Sequence, residues 1–226
     1  MTRLLKRLLF PNTPRPVRVL YGPFRGARLS LTPADSVRKI LGLYEHELNA
    51  WLRRALNTVD DVVDVGANDG YFTFGCAAAL KRRRKHGAVI AVDPQAACCE
   101  QLIRSRDRFA LYGVEVHIEQ AFVGARDEGR QTTLPSLFRK HGIFDRKTLI
   151  KIDVEGAELA VLKGAEPLIK AGNLFLVEVH CAADVAQIVE LFSSHGSKLD
   201  HVKQRPLRLL GAEMRDAENS WLVSRL

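Results

Sequence analysis

Three features of the chain predict an α/β fold, a mostly parallel sheet with helices on both faces. Near-continuous apolar runs, AVIAV at 88–92 and LFLVEV at 174–179, read as strands buried on both sides. Helical stretches alternate with such strands along most of the length, as in successive βαβ units. Two strands end in glycine and carboxylates and pass directly into helices, which in a parallel sheet puts binding groups at the carboxyl edge. A length of 226 residues with 46% hydrophobic content suits one domain with a short N-terminal extension.

The elements follow in order. Pro11, Pro14, Pro16, Pro23 and Pro33 favour extended or turn structure over 11–34, and a helix is expected over about 35–56. Strand 61–66, helix 70–85, strand 88–93, helix 95–108 and strand 114–119 come next. A looser stretch holding TTLPSLFRKHG leads to strand 148–153, helix 156–170, strand 173–180 and helix 183–194. Strands near 198–203 and 218–224, with no helical pattern between them, are expected to close the sheet as an antiparallel pair. The chain thus divides into a basic arm with a lid helix, 1–50, and a main domain, 51–226.

Charge is uneven along this layout. The net charge is +8, and +7 of it sits in residues 1–34, which contain Arg3, Lys6, Arg7, Arg15, Arg18, Arg25 and Arg28 and no acidic residue. Such a segment suits a phosphate-rich partner or an anionic surface, and LLKRLLF at 4–10 can lie on a membrane as a short amphipathic stretch. The second cluster, KRRRKH at 81–86, fits a helix C-terminus, where cations complement the helix dipole. No apolar run reaches the roughly 20 residues needed to span a bilayer, and the N-terminus lacks the pattern of a secretory signal. Cys76, Cys98, Cys99 and Cys181 show no CxxC spacing, which points to a reducing, cytoplasmic setting and away from a thiolate metal site.

The chemistry concentrates in two segments, VVDVGANDGYFT at 62–73 and KTLIKIDVEGAELAVLKGAE at 147–166. In the first, Gly66 and Gly70 bracket Ala67, Asn68 and Asp69, without the middle glycine of a dinucleotide loop. Asp64 and Asp69 would repel a pyrophosphate but suit a ligand carrying an ammonium and a sulfonium. Asp93, closing AVIAVD, can accept both hydroxyls of a ribose. In the second segment, Asp153 ends a buried strand, where a charge without a partner is costly. Glu155 and Glu158 are spaced like a capping box, although Glu is a poor N-cap. Glu178 and His180 are two apart and share a strand face, giving a carboxylate and an imidazole next to Asp153.

These two segments together resemble the FkbM-type family of S-adenosylmethionine-dependent methyltransferases, whose members carry a DxGANxG loop and a later KIDxEGxExxxLxGA strand and helix. The segment LGLYEHEL at 41–48 is similar to the stretch before the glycine loop in that family, and the likeness spans about residues 40–180. It implies a Rossmann-like class I methyltransferase fold with a mostly parallel seven-stranded sheet and a reversed last strand. It implies that Asp64, Gly66, Ala67, Asn68, Gly70, Tyr71, Asp93 and Asp153 hold S-adenosylmethionine, with Ala121 and Phe122 at the adenine. Tyr44 and Glu45 would lie over the pocket as a lid, and Glu155 and Glu158 would face the substrate.

The function expected is O-methylation of a hydroxyl on a sugar, a glycolipid or another small polyol-like molecule. His180, Glu178 and Asp153 would carry the acid-base work, with His180 as base. The spacing demands no metal. Nucleic-acid methylation through the basic arm is an alternative, but IDVEGAE stands where base N-methylating enzymes place an Asp/Asn-Pro-Pro-aromatic segment. A noncatalytic S-adenosylmethionine-binding module, with the carboxylates as caps, is another.

Overall fold

The computed structural model describes residues 13–109, 113–207 and 219–226. The amphipathic stretch expected at 4–10 lies outside them. Strands β1 (Arg15–Arg18) and β2 (Arg28–Leu31) form an antiparallel hairpin. The hairpin is packed into the molecule: Val19, Phe24, Leu29 and Leu31 are buried in the same core as β3 and the helix after it. The Phe24 ring meets those of Tyr71 and Phe72 edge to face, 5.3 and 5.5 Å between centroids.

The helix expected over 35–56 is instead three pieces. Helix α1 (Val37–Leu41) stops at Gly42, which is left-handed at φ 70°. A 3₁₀ turn at His46–Leu48 then leads into α2 (Asn49–Thr58). Gly42 supplies a left-handed helix end without the steric cost a side chain would bring. From there β3 (Asp61–Val65), α3 (Tyr71–Arg82), β4 (Gly87–Asp93), α4 (Ala96–Arg108) and β5 (Val114–Gln120) follow the expected order.

The looser stretch holds two short strands, β6 (Phe122–Val123) and β7 (Gln131–Thr132), and helix α5 (Leu134–Lys140). Thr133 caps α5 by accepting from the Ser136 amide, with Pro135 in the first turn. After β8 (Thr148–Ile152), the single helix expected over 156–170 is two, α6 (Glu158–Lys163) and α7 (Glu166–Lys170). Pro167 explains the break, because it lacks the amide hydrogen a continuous helix would use there. Strand β9 (Leu174–Val179), helix α8 (Asp184–Ser194) and strands β10 (Leu199–Val202) and β11 (Ser220–Ser224) complete the chain.

The main sheet runs β10-β11-β9-β8-β3-β4-β5. Strands β3, β4, β5, β8 and β9 are parallel, and β11 is antiparallel to both β9 and β10. Alternate residues feed two cores. Val62, Val89, Ala91, Leu149 and Leu176 point to one face, while Val63, Ile90, Val92, Ile150, Phe175 and Val177 point to the other. The chain leaves β3 toward β4 on one side and returns through β8 on the other, so a topological switch point lies between β3 and β8. Ligands bind at the carboxyl edge of such a crevice.

Candidate functional site

At that edge the β3–α3 loop crosses the end of β8. Gly66, at φ 79°, lies so close that a Cβ there would come within 1.8 Å of the Asp153 carbonyl oxygen, so no side chain fits. The Asp153 amide donates to the Val65 carbonyl at 3.1 Å, locking the two strand ends together. Asn68 is left-handed at φ 48°, as a loop with one glycine fewer requires.

A cavity of about 350 Å³ opens here, lined by Gly66, Asn68, Asp93, Ala121, Phe122, Asp153 and Glu155 among others. Seven of the residues singled out from sequence therefore meet in one concavity. Its wall also holds Pro94, Gln95, Cys98, Val123, Val154 and Ala157, which sequence reasoning did not assign to the site. Phe122 is 57% exposed at the rim. Asp93 is nearly buried, and each of its oxygens already accepts a backbone amide at 2.9 Å, from Asn68 and from Gln95. Its remaining lone pairs are what a ribose could use, and the same carboxylate shapes the loop.

Other predicted residues lie behind this wall. Ala67, Gly70 and Tyr71 are buried at the start of α3, and Asp69 accepts the Tyr71 amide at 3.1 Å. Asp64 is fully buried below the loop, accepting from the Thr73 hydroxyl at 2.5 Å, with Lys151 Nζ 3.5 Å away. Burial pushes the Asp64 carboxyl above its usual range even though the Lys151 ammonium and the Thr73 hydroxyl oppose the shift.

Lys151 organises the centre of the site. Its ammonium donates to Asp153 Oδ2 at 2.9 Å and to the Gly66 carbonyl at 3.3 Å, beside the Phe72 ring. Burial works against this charge, but Asp153 and Asp64 outweigh it and hold the pKa above the ordinary lysine value. Glu45, left-handed at φ 48°, adds to that field. Tyr44 packs edge to face on Tyr71 at 5.7 Å, with the Lys39 ammonium over its ring. Lys39 also pairs with Asp69. Lys151 was not named from sequence, although its place two residues before Asp153 on one strand face was the available signal.

In the second half of the site, Glu158 rather than Glu178 is the carboxylate bonded to His180. Glu158, expected to face a substrate, is fully buried and holds His180 Nδ1 at 2.7 Å, while also accepting the Gly156 amide at 2.9 Å. The ring is thus held between two carboxylates, with Nδ1 on Glu158 and Nε2 3.7 Å from Asp153 Oδ1. Glu178, expected beside His180 on the strand, is buried and receives Asn219 Nδ2 at 3.4 Å from β11's edge. Asp153, Glu178 and His180 each offer a ligand atom within 4.8 Å of the others, enough to receive a divalent cation. Glu155, at φ 52° and exposed on the cavity rim, is a strained non-glycine residue at the mouth of the site.

Residues 113–199 match the Methyltransferase FkbM domain, a segment that contains β5 through β9 but not the glycine loop. The hexuronic acid methyltransferase AglP of Haloferax volcanii is 28% identical over 155 residues, 59% of this chain and 62% of that protein. The chain thus spans less than two thirds of that relative. A crystal structure of a putative rRNA-methylase from Clostridium thermocellum superposes with a TM-score of 0.51 at 11% identity, covering 79% of this chain and 94% of that one. The METTL16 MTase domain gives 0.51 at 10% identity, over 81% and 67%. At such identity these structures speak for the fold alone, which is the class I methyltransferase fold with its antiparallel hairpin at the end of the sheet.

Proposed function

We propose that this chain, which carries an FkbM-type methyltransferase domain over 113–199, transfers the methyl group of S-adenosylmethionine to a hydroxyl of a sugar, glycolipid or other polyol-like molecule. The observation that carries the reading is the meeting of the glycine loop, Asp93 and Asp153 in one cavity, with His180 Nε2 held beside Asp153. The donor set fits the cofactor: carboxylates and amides suit a ribose, an ammonium and a sulfonium, and the exposed Phe122 face suits an adenine. S-adenosylmethionine supplies the methyl carbon on a good leaving group. The protein's share is to bring the acceptor oxygen into line at about 3 to 3.5 Å and to take its proton as attack proceeds.

Here Glu158 orients His180, and Nε2 receives the acceptor's proton, the imidazolium being stabilised by Asp153 and Glu158. Glu155, on the cavity rim, is read as facing the acceptor, while Glu178 backs the base from within the fold. A sugar acceptor is supported by the likeness to a hexuronic acid methyltransferase. A cytoplasmic setting, with peripheral contact to an anionic surface through the basic segment 1–34, belongs to the same reading.

Calorimetry is expected to show binding of S-adenosylmethionine and S-adenosylhomocysteine and negligible binding of NAD. Methyl transfer is then assayed on hexuronic acids, neutral sugars, glycolipids and RNA, with and without a chelator. His180→Ala should lower turnover on the competent acceptor about 10² to 10⁴-fold with cofactor affinity retained. Transfer to RNA alone, or cofactor binding without transfer to any hydroxyl, would sink the reading. If His180→Ala stays active while Asp153→Asn is dead, or a chelator abolishes turnover, the proton passes elsewhere and the cluster of Asp153, Glu178 and His180 serves a cation instead.

A further inference from the structure

A second concavity lies apart from the one at the carboxyl edge of the sheet. A groove of about 860 Å³ runs between the β1–β2 hairpin and the C-terminal ends of α3 and α4. Six cations line it: Arg18, Arg25 and Arg28 from the hairpin, Lys81 and Arg82 from α3, and Arg108 from α4. No carboxylate lines it among the described residues, and neither residues 1–34 nor 110–112 contain one.

Helix dipoles account for cations at the two helix ends taken singly. They do not account for the convergence. Arg18 and Arg28 are direct cross-strand partners in the hairpin, an arrangement of like charges that disfavours the pairing. Arg82 is fixed by donating to the Pro23 and Arg25 carbonyls, so its guanidinium cannot swing away. Partial desolvation of this otherwise exposed side chain, with Arg83 and Arg25 nearby, depresses its pKa below the usual arginine value. Two arginines paired across the hairpin, in a lining that holds no carboxylate among the described residues, make a place suited to an external anion.

We propose that this groove binds phosphate groups of an anionic lipid bilayer and docks the protein on that surface. The inference extends the peripheral contact read from residues 1–34 to a formed site that includes α3 and α4. Three observations favour a bilayer over a nucleic acid. Leu20 and Tyr21 stand exposed at its edge, 46% and 65% accessible, where they meet an interface rather than a polar strand. The sequence entering the hairpin places Leu4, Leu5, Leu8, Leu9 and Phe10 among Arg3, Lys6 and Arg7. Phe109, the aromatic in the groove wall, already has Arg108 over its ring, which competes with a base for stacking there. The groove lies about three turns along α3 from the glycine loop, roughly 16 Å, so lipid bound there leaves the catalytic cavity clear.

The test is sedimentation of the full chain with phosphatidylcholine vesicles, with and without phosphatidylglycerol. Binding is expected only with phosphatidylglycerol and should weaken as salt rises. The triple variant Arg18→Gln, Arg28→Gln, Arg108→Gln should weaken it between about tenfold and a few hundredfold, since each cation near such a surface contributes about 1 kcal/mol. Calorimetric S-adenosylmethionine affinity should be unchanged. If the wild type binds and the variant binds equally, the groove is excluded while contact through the first residues stands. If the wild type ignores both vesicles at low salt, both readings fail. Inorganic phosphate at matched ionic strength should not displace vesicles; displacement would reassign the groove to free phosphate. Tighter, variant-sensitive binding to a single-stranded RNA oligonucleotide would overturn the lipid assignment.

Discussion

The carboxyl edge of the sheet and the hairpin groove both concentrate charge, but they do so in opposite ways. At the carboxyl edge the charges are buried and answered: Lys151 sits between Asp64 and Asp153, and Glu158 holds His180. In the groove the cations are exposed and share one sign. A buried, answered charge fails badly when its partner is removed, because the remaining ion is left desolvated. An exposed charge among like charges loses little when neutralised. The two regions should therefore respond to single substitutions on different scales and with different dependence on pH and salt.

The largest effect on stability is expected at Lys151. Lys151→Met keeps most of the side-chain volume but leaves Asp64 and Asp153 facing each other, and should cost about 3 to 5 kcal/mol at neutral pH. The sign of its pH dependence follows from Asp64, whose carboxyl burial already raises. With a native pKa above the unfolded one, Asp64 favours the fold fully only below about pH 3.9, and that contribution is lost as pH rises through the native value. Removing Lys151 raises that native value further, so the deficit should be larger at pH 7.5 than at pH 5. Denaturant unfolding at the two pH values measures this. A cost below about 1 kcal/mol that is flat with pH would mean the pair is hydrated and the contrast between the regions is wrong.

Cofactor binding offers the intermediate test. Asp93→Ala should weaken S-adenosylmethionine binding by about 1.5 to 3 kcal/mol, the scale of charge-assisted hydrogen bonds. Because Asp93 also accepts the Asn68 and Gln95 amides, part of the loss would come from a loosened loop. Asp93→Asn separates the two, since its one carbonyl oxygen keeps an acceptor for the loop but loses the charge. Wild-type affinity in both variants would remove Asp93 from the cofactor site.

The difference between the regions also decided what was legible in the sequence. Gly66, Asn68, Asp93 and Asp153 could be placed together because a parallel sheet gathers its strand ends at one edge, whatever the strand order. Which carboxylate orients His180 was not legible, because Glu158 lies on a helix and its reach back to the next strand depends on how α6 packs. The break at Gly42 was not legible because a lone glycine is tolerated inside a helical pattern, and only its left-handed backbone marks an end. The groove escaped for a different reason. The basic arm and KRRRKH were separately visible, but each had a local explanation, and only the fold brings Arg28, Lys81 and Arg108 to one hollow.

The smallest effect is expected on the stability of the groove itself. Arg18→Gln removes one of two guanidinium groups facing each other across the hairpin, so it should leave stability within about 0.5 kcal/mol of the wild type, as exposed substitutions do. The sign should be stabilising at low salt, because the change relieves like-charge repulsion directly opposite in the register. That gain should fade as salt rises, since exposed charges are screened over about 10 Å at 0.1 M. Thermal unfolding at low and high salt, without lipid, reads both. A destabilisation above about 1 kcal/mol that ignores salt would show that Arg18 is held by contacts inside the fold, and the groove would then be built for packing rather than for an anion.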